Sequence, residues 1–192
     1  MRLKTILYIF IALIPAFMLS CGVGGSADNG ASVILEASLT SEYPQIDLIR
    51  KIDNDQNGTC ENYTIPTDDF IEITFKSKVP ENSKLPPSDV IIESYRIKYI
   101  PLKKNLPSFE EELTGNCIIG AGETKRCRFP IFKSFDKYTF YLQGRDDDYR
   151  IKIKIHGKEV LYDKSIDLTV SGTVGIGDFQ QEGEPNCTFE EK

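Results

Sequence analysis

Side chains that carry oxygen atoms occur at alternate positions around Asp53, which is the pattern best suited to binding a metal ion. Asp53, Asp55 and Asn57 precede Gly58, and Glu61 follows shortly afterwards. Hard cations such as Ca²⁺ prefer converging oxygens, and a glycine allows the sharp turn that brings those oxygens together. The spacing therefore predicts a calcium site at these positions. The alternative is a solvated turn, because Asp, Asn and Gly are also the residues that turns require.

The chain has one histidine and no recognisable catalytic motif. His156 ends an alternating segment on the side that faces water, and the sequence offers it no nearby partner for acid–base chemistry. Neither a Gly-x-Ser-x-Gly motif nor a phosphate-binding loop is present. Acidic residues are numerous, but nothing selects a pair for glycoside hydrolysis. We therefore expect a protein that is not an enzyme, with a carboxylate-based hydrolase as the weaker alternative.

Four cysteines lie beyond residue 21, and an even number is typical of exported proteins with disulfides. Cys117 and Cys127 flank the turn residues 120–122, so a hairpin would bring them together. Cys60 and Cys187 both follow polar, turn-rich segments. Of the three possible connectivities, we favour the nested one, 117–127 with 60–187. A zinc site is the disfavoured alternative, because no two cysteines have Cys-x-x-Cys spacing.

Apolar and polar residues alternate along many short segments, most regularly over 149–156. Such alternation places one face on a core and the other in water. Strands are predicted near 33–39, 46–52, 70–79, 90–100, 116–120, 126–132, 138–143, 149–156, 159–163 and 166–174. A hairpin turn is expected at Gly157-Lys158, and 108–113 is interpreted as an acidic loop rather than a short helix. The pattern indicates an all-β protein, an antiparallel sandwich.

The same alternation predicts a cationic surface. When the apolar residues of two long strands face the core, five cations point outward: Arg96, Lys98, Arg150, Lys152 and Lys154. Only Asp167, on the next strand, is expected to offset their charge. We interpret this surface as an anion-binding face for phosphorylated lipid headgroups, an acidic polysaccharide or an acidic envelope protein. The alternative is an ordinary solvated face.

The first 20 residues have the composition of an export signal. Arg2 and Lys4 precede the apolar segment 5–19, which is short for a membrane span. The sequence Met18-Leu19-Ser20-Cys21-Gly22 then resembles a bacterial lipobox, although Met18 occupies the position where the family prefers leucine. The resemblance implies removal of 1–20, a diacylglyceryl group on the thiol of Cys21, and acylation of the new amino terminus.

Lipidation at Cys21 implies an exported protein anchored in the cell envelope of a bacterium. Multiple acyl chains give stable anchoring. Gly22, rather than an aspartate, follows the cysteine, which resembles the default signal for the outer membrane. Residues 21–32 are small and polar and are predicted to form a flexible, lipidated tether.

The segment from Asp147 to Ile151, which begins a long alternating strand, resembles the start of strand F in immunoglobulin-like domains. Tyr149 would be the corner tyrosine of that family. Ile151 and a position near Ile73 would replace the two cysteines of antibody domains, which favours the broader immunoglobulin-like or fibronectin type III-like class. The implied organisation is a β-sandwich over 33–175, followed by an acidic tail over 176–192 that a disulfide pins.

Charge excludes one class of partner. The 192 residues carry a net charge of −6, and residues 21–192 carry −8 because Arg2 and Lys4 are lost with the signal. A nucleic-acid-binding protein would usually be basic, so no nucleic-acid partner is expected. The sequence favours a membrane-anchored envelope lipoprotein acting as a non-catalytic binding or structural module. A calcium-dependent recognition module is the alternative.

Overall fold

Strands form nearly all of the regular structure. The computed structural model describes residues 25–27, 31–41, 43–67, 69–103, 105–179 and 183–189. In chain order the strands are β1 Gly25–Ala27, β2 Ile34–Leu39, β3 Gln45–Asp47, β4 Arg50–Ile52, β5 Asn62–Thr64, β6 Phe70–Lys78, β7 Val90–Pro101, β8 Phe109–Ile119, β9 Thr124–Pro130, β10 Asp147–Glu159 and β11 Ser165–Gly177. One helix, α1 Lys137–Leu142, lies between β9 and β10. The expectation of an all-β protein is confirmed.

The described strands form three sheets. The first has the order β1-β2-β6-β9, the second has the order β3-β11-β10-β7-β8, and β4 pairs with β5. Every pairing is antiparallel except that of β3 with β11, which is parallel. The expectation of a purely antiparallel sandwich is therefore wrong at this edge. The predicted strand 46–52 is divided here, and only its first part joins the larger sheet.

Alternation along the long strands builds the core, as the sequence predicted. In β10, Tyr149, Ile151, Ile153 and Ile155 are buried, and the residues between them are exposed or half-buried. The first sheet contributes Leu35, Ile71, Ile73 and Phe75 to the same core. Burial of each such side chain is worth roughly 1.5–3 kcal/mol.

The two ends of the fold differ. At one end, the "helix end", α1 leads into the start of β10, and the aromatic rings of Tyr99, Phe109, Phe132, Phe135, Phe140 and Tyr149 pack together. At the other, the "turn end", residues 160–164 connect β10 to β11. Strands β7 and β10 run antiparallel between these ends.

The predicted strand 138–143 is wrong, because this segment forms α1. Asp136 caps the helix: its carboxylate accepts from the backbone N–H of Tyr138 at 3.1 Å and from the hydroxyl of Thr139 at 2.6 Å. The hydrogen bond from Thr139 lowers the pKa of Asp136. Lys137 and Phe140, three positions apart, are the buried residues of the helix. The apolar run therefore follows a helical period rather than the period of a strand.

The predicted turn at Gly157-Lys158 is also wrong. Strand β10 continues to Glu159, and the predicted strand 159–163 lies largely in the connecting turn. The register between β10 and β7 shifts between His156 and Gly157. A Cβ atom on Gly157 would lie 2.6 Å from the carbonyl oxygen of Ile91. Glycine is required here for close approach of two strands, not for a turn.

The segment 108–113 forms neither an acidic loop nor a helix, because β8 begins at Phe109. Glu110 and Glu112 face outward, whereas Glu111 faces the core and is buried. Its carboxylate accepts from the hydroxyl of Tyr99 at 2.6 Å and from backbone N–H groups of residues 132–134. Burial raises the pKa of Tyr99 well above its usual value, so the phenol remains a donor. These donors explain how a glutamate occupies an inward position in the strand.

Within the predicted tether over 21–32, the residues that the structure describes take part in the sandwich. β1 pairs with β2, with Gly25 opposite Ala37 and Ala27 opposite Leu35. Ser32 is fully buried. At the other boundary, β11 extends to Gly177, two residues beyond the predicted domain limit.

Candidate functional site

The five cations predicted to share a face do so, on the outer side of the second sheet. All five are exposed. We call this surface, formed by Arg96, Lys98, Arg150, Lys152 and Lys154, the cationic stripe. The inward positions between them belong to the core, so the strand period alone fixes their direction. The predicted pairing of the two long strands is confirmed as β7 with β10.

Register places the cations of the stripe opposite one another. Lys152 pairs with Lys98, and Lys154 pairs with Arg96. Arg150 lies opposite Ile100, toward the helix end. On the other side of β10, Lys152 faces Ser171 of β11. Lys154 faces Thr169, and Arg150 faces Thr173. The middle of the face thus has like charges opposite each other, an arrangement that weakens a sheet.

The expectation that only Asp167 offsets these charges is wrong. Strand β8 lies beside β7 and places Glu112 opposite Arg96 and Glu110 opposite Lys98. Glu112 accepts from Arg96 Nε at 3.0 Å and raises the pKa of that guanidinium. Within the part of the chain that the structure describes, no carboxylate lies within ion-pair distance of Lys98, Arg150, Lys152 or Lys154.

His156 borders the stripe at the turn end. Its Nδ1 lies 2.9 Å from a carboxylate oxygen of Asp167, which is directly opposite on β11. The histidine thus has a partner that the sequence analysis did not find, because the pairing depends on the register of two strands. An open depression of ≈ 580 Å³ is lined by Ser94, Lys154 and Thr169 together with this pair. Both members of the pair are solvent-exposed, so the contact is a surface one.

Three of the four predicted calcium ligands converge. One carboxylate oxygen from each of Asp53, Asp55 and Glu61 lies within 4.8 Å of the others. The fourth, Asn57, is directed elsewhere: its carbonyl oxygen accepts from the N–H of Thr59 at 2.6 Å, and its amide donates to Asp55 at 3.0 Å. In this geometry the side chain of Asn57 is engaged by hydrogen bonds within the loop.

The same carboxylates also organise the loop. Asp53 accepts from the backbone N–H of Asn57 at 3.2 Å and from that of Gly58 at 2.9 Å. Glu61 accepts from the N–H of Asn54 at 2.7 Å. These contacts are the ones expected of the alternative, an Asx-type turn. The loop geometry accommodates both interpretations.

The four cysteines are joined in the nested arrangement. Cys60 is bonded to Cys187, and Cys117 to Cys127. The second bridge joins β8 of one sheet to β9 of the other, so the turn between them is a connection between sheets rather than a hairpin. The first bridge holds the C-terminal segment against the Asp53 loop, where the N–H of Cys60 donates to Thr188 O at 2.9 Å.

A buried ionic group at the helix end was not anticipated. The ammonium of Lys137 forms a 2.5 Å ion pair with Asp69 and donates to the carbonyl oxygen of Asp47 at 2.7 Å. The carboxylate of Asp47 is itself buried, with Arg50 at 3.5 Å. Burial raises the pKa of Asp47 to about 6. A signal existed in the sequence: Lys137 lies three positions before the apolar Phe140, so the two share one face of the helix.

Cys21, the predicted site of lipid attachment, lies outside the described residues. Among the residues that are described, no helix is both long and apolar enough to cross a membrane.

Comparison with family models and with curated proteins gives no match. Among solved structures, the chain is similar to the solution structure of AT1g01470 from Arabidopsis thaliana. The identity is 10%, the match covers 83% of this chain and 85% of that one, and the TM-score is 0.30. A likeness at this level carries no argument about function.

Proposed function

We propose that the protein is an exported, lipid-anchored module of the bacterial cell envelope that binds an anionic ligand and has no catalytic role. One observation carries the proposal: Lys98, Arg150, Lys152 and Lys154 lie side by side on one face, and the described residues supply no ion-pair partner for them. A protein with a net charge of −6 has many carboxylates that could neutralise such a face. Strand pairing gains nothing from adjacent cations, so the charge is better explained by something that binds to it.

The lipid anchor rests on the lipobox-like sequence that ends at Cys21. The two disulfides are in keeping with export, because such bonds persist in oxidising compartments. The Gly22 that follows the cysteine favours the outer membrane.

We further propose that the sandwich is immunoglobulin-like, with β7, β10 and β11 as strands C, F and G. The hydroxyl of Tyr149 donates to the carbonyl oxygen of Arg145 at 2.8 Å, the backward contact of a corner tyrosine. Ile73 and Ile151 are buried on β6 and β10, in place of an antibody-type disulfide. This class of sandwich commonly serves recognition, which agrees with a binding module.

The stripe is tested with the Cys21→Ser protein, which has no lipid attachment site. We expect heparin-agarose to retain it at low salt, and expect Lys152→Glu/Lys154→Glu to abolish retention. The matched control is Lys76→Glu/Arg126→Glu, which makes the same charge change on exposed residues of the first sheet. If the Cys21→Ser protein without further substitutions passes through the column at low ionic strength, where screening is weakest, the stripe is only solvated surface.

The anchor is tested by fractionating cells. The protein with Cys21 intact should partition into detergent with the membranes, and Cys21→Ser should release it into the soluble fraction. A Cys21→Ser protein that still partitions into detergent would contradict the lipid anchor without bearing on the stripe.

A further inference from the structure

We infer that the anionic ligand of the cationic stripe is the bilayer to which the protein is anchored, and that the helix end of the sandwich faces this bilayer. The inference rests on the proposed function, since it takes Cys21 as the lipidated residue. It adds the identity of the ligand, a phospholipid surface, and the orientation of the domain upon it.

The direction of β1 determines which end is near the anchor. β1 is antiparallel to β2, with Gly25 opposite Ala37 and Ala27 opposite Leu35. The start of β6 lies at the helix end, because Phe70 pairs with Pro130 at the end of β9, which leads to α1. β2 runs toward this end, because Leu39 pairs with Ile73, near the start of β6. The chain therefore enters β1 from the side of the helix end.

The distance between the anchor and the sandwich is short. Gly25 lies only four residues beyond Cys21, the lipid attachment site. At about 3.3–3.6 Å per residue, this segment spans at most roughly 14 Å. Gly25 lies opposite Ala37 on the antiparallel β2. A segment of the same length that continues from Ala37 ends at Ser41, close to Tyr43. By comparison, β10 has 13 residues and is roughly 43 Å long. The anchor thus holds the helix end at the membrane and leaves the turn end far from it.

An apolar patch is exposed where this orientation would place lipid. Tyr43, Ile100 and Leu102 are 42%, 36% and 51% exposed, respectively. Tyr43 and Leu102 both contact Asp148: the phenol donates to its carboxylate, and the N–H of Leu102 donates to its carbonyl oxygen at 2.9 Å. We call these three residues the helix-end patch. Tyrosine and aliphatic side chains with cations nearby suit the interface between headgroups and acyl chains.

The carboxylates of Asp147 and Asp148, beside the patch, are each engaged by a neighbouring side chain. The hydrogen bond to Asp148 raises the pKa of Tyr43 to about 12, so the phenol stays neutral. The carboxylate of Asp147 accepts from the N–H of Lys103 at 2.8 Å and lies 3.7 Å from its ammonium. These contacts reduce the repulsion that an anionic surface would meet here.

The patch and the stripe are continuous. Arg150, the last cation of the stripe, lies directly opposite Ile100 of the patch. Lys152 and Lys98 form the next row. A domain resting on its helix end and tilted toward the outer face of β10 brings apolar side chains to the membrane surface. The same tilt brings the four cations that have no ion-pair partner among the described residues. Lysines and arginines near an anionic membrane surface are attracted to it.

The experiment uses the full-length lipidated protein in phosphatidylcholine–phosphatidylglycerol vesicles with brominated acyl chains. The chain has no tryptophan, so the fluorescence of a single introduced tryptophan can be measured without interference from another indole. Leu102→Trp probes the helix end. Leu161→Trp is the matched control, because Leu161 is 64% exposed at the turn end. We expect bromine to quench the emission of the first about twofold, as for a side chain at the acyl boundary, and to leave the second unchanged.

A second pair of variants connects orientation to charge. In the Leu102→Trp protein, Lys152→Glu/Lys154→Glu should reduce quenching, whereas the control Lys76→Glu/Arg126→Glu should not. Flotation with the vesicles, measured on every sample, reports the anchor separately.

The outcomes are distinguishable. If the protein floats but neither indole is quenched, or Leu161→Trp is quenched more, the inference is overturned. If heparin still retains the Cys21→Ser protein in that case, the proposed function stands and the ligand is an acidic polysaccharide or protein. If the protein does not float with the vesicles, the proposed lipid anchor fails, and the inference fails with it.

Discussion

The backbone amide and the hydroxyl of Ser32 both donate to the same carboxylate oxygen of Glu159, each at 2.6 Å. Both residues are fully buried at the turn end. The Ser32 hydroxyl also accepts from the N–H of Ser88 at 3.0 Å. The last residue of the predicted tether is therefore fixed to the long strand that carries the cationic stripe. Ser32 and the cationic stripe therefore belong to the same sandwich.

Substitution of Ser32 by alanine should destabilise the fold. The variant removes a donor from a buried carboxylate and an acceptor from a buried amide, so we expect the free energy of unfolding to fall by about 1–3 kcal/mol. Urea denaturation followed by circular dichroism measures it. Ser165→Ala, at an exposed position of β11, is the control. A loss no larger than that of the control would show that the contact contributes little.

The sequence predicted the parts of the fold that depend on period two. The long strands, their inward residues and the outward cations follow from alternation, as in Ile151 and Lys152. It failed where a polar residue is buried. Glu111 lies inward because its carboxylate accepts from backbone N–H groups of a loop that is distant in sequence. The residues around Glu111 give no indication of that contact. It also failed at α1, where the cap Asp136 was the overlooked signal.

The sequence predicted which cations form the stripe, but it did not predict which carboxylates lie beside them. Which residues point outward depends on one strand at a time, so all five cations were found. Which acids oppose them depends on the neighbours of each strand. Because 108–113 was interpreted as a loop, Glu110 and Glu112 were not placed beside β7. Asp167 was assigned to the stripe, yet it contacts His156 instead.

Removal of the long-range disulfide should cost more stability than removal of the short one. Cys60 and Cys187 are separated by 127 residues, and Cys117 and Cys127 by 10. The chain-entropy relation gives about 5 kcal/mol for the first bridge and about 3 kcal/mol for the second. We expect the double alanine variant of the first pair to melt at the lower temperature. Scanning calorimetry of the two double variants makes the comparison, and the reverse order would contradict it.

Calcium should bind weakly at the Asp53 loop. Three carboxylates converge, but Asn57 is engaged with Thr59. An EF-hand calcium loop has a bidentate glutamate at its twelfth position, and the twelfth residue counted from Asp53 is Thr64. We expect a dissociation constant of about 10⁻⁴–10⁻³ M. Titration calorimetry measures it, and Glu61→Gln, which keeps the acceptor for Asn54, should weaken it further. Absence of heat at millimolar calcium would leave the loop as a turn only.

Asp47 should make stability depend on pH in the direction opposite to that of most carboxylates. Burial raises its pKa to about 6, with the backbone N–H of Phe179 and the charge of Arg50 acting against the shift. The folded state therefore binds a proton that the unfolded state releases near pH 4. Between these values the folded form holds more protons, so this group's contribution to stability declines as pH rises from about 4 to about 6.

The variant Asp47→Asn removes this titration and keeps the shape of the side chain. We expect it to be more stable than the unsubstituted protein at pH 7, by on the order of 1–3 kcal/mol, and to show no gain below about pH 4. Urea denaturation at a series of pH values measures both proteins. Asp163→Asn, at an exposed position of the connecting turn, controls for loss of one negative charge. If the Asp47→Asn curve runs parallel to that of the unsubstituted protein throughout this range, Asp47 does not titrate with the raised pKa that its burial implies.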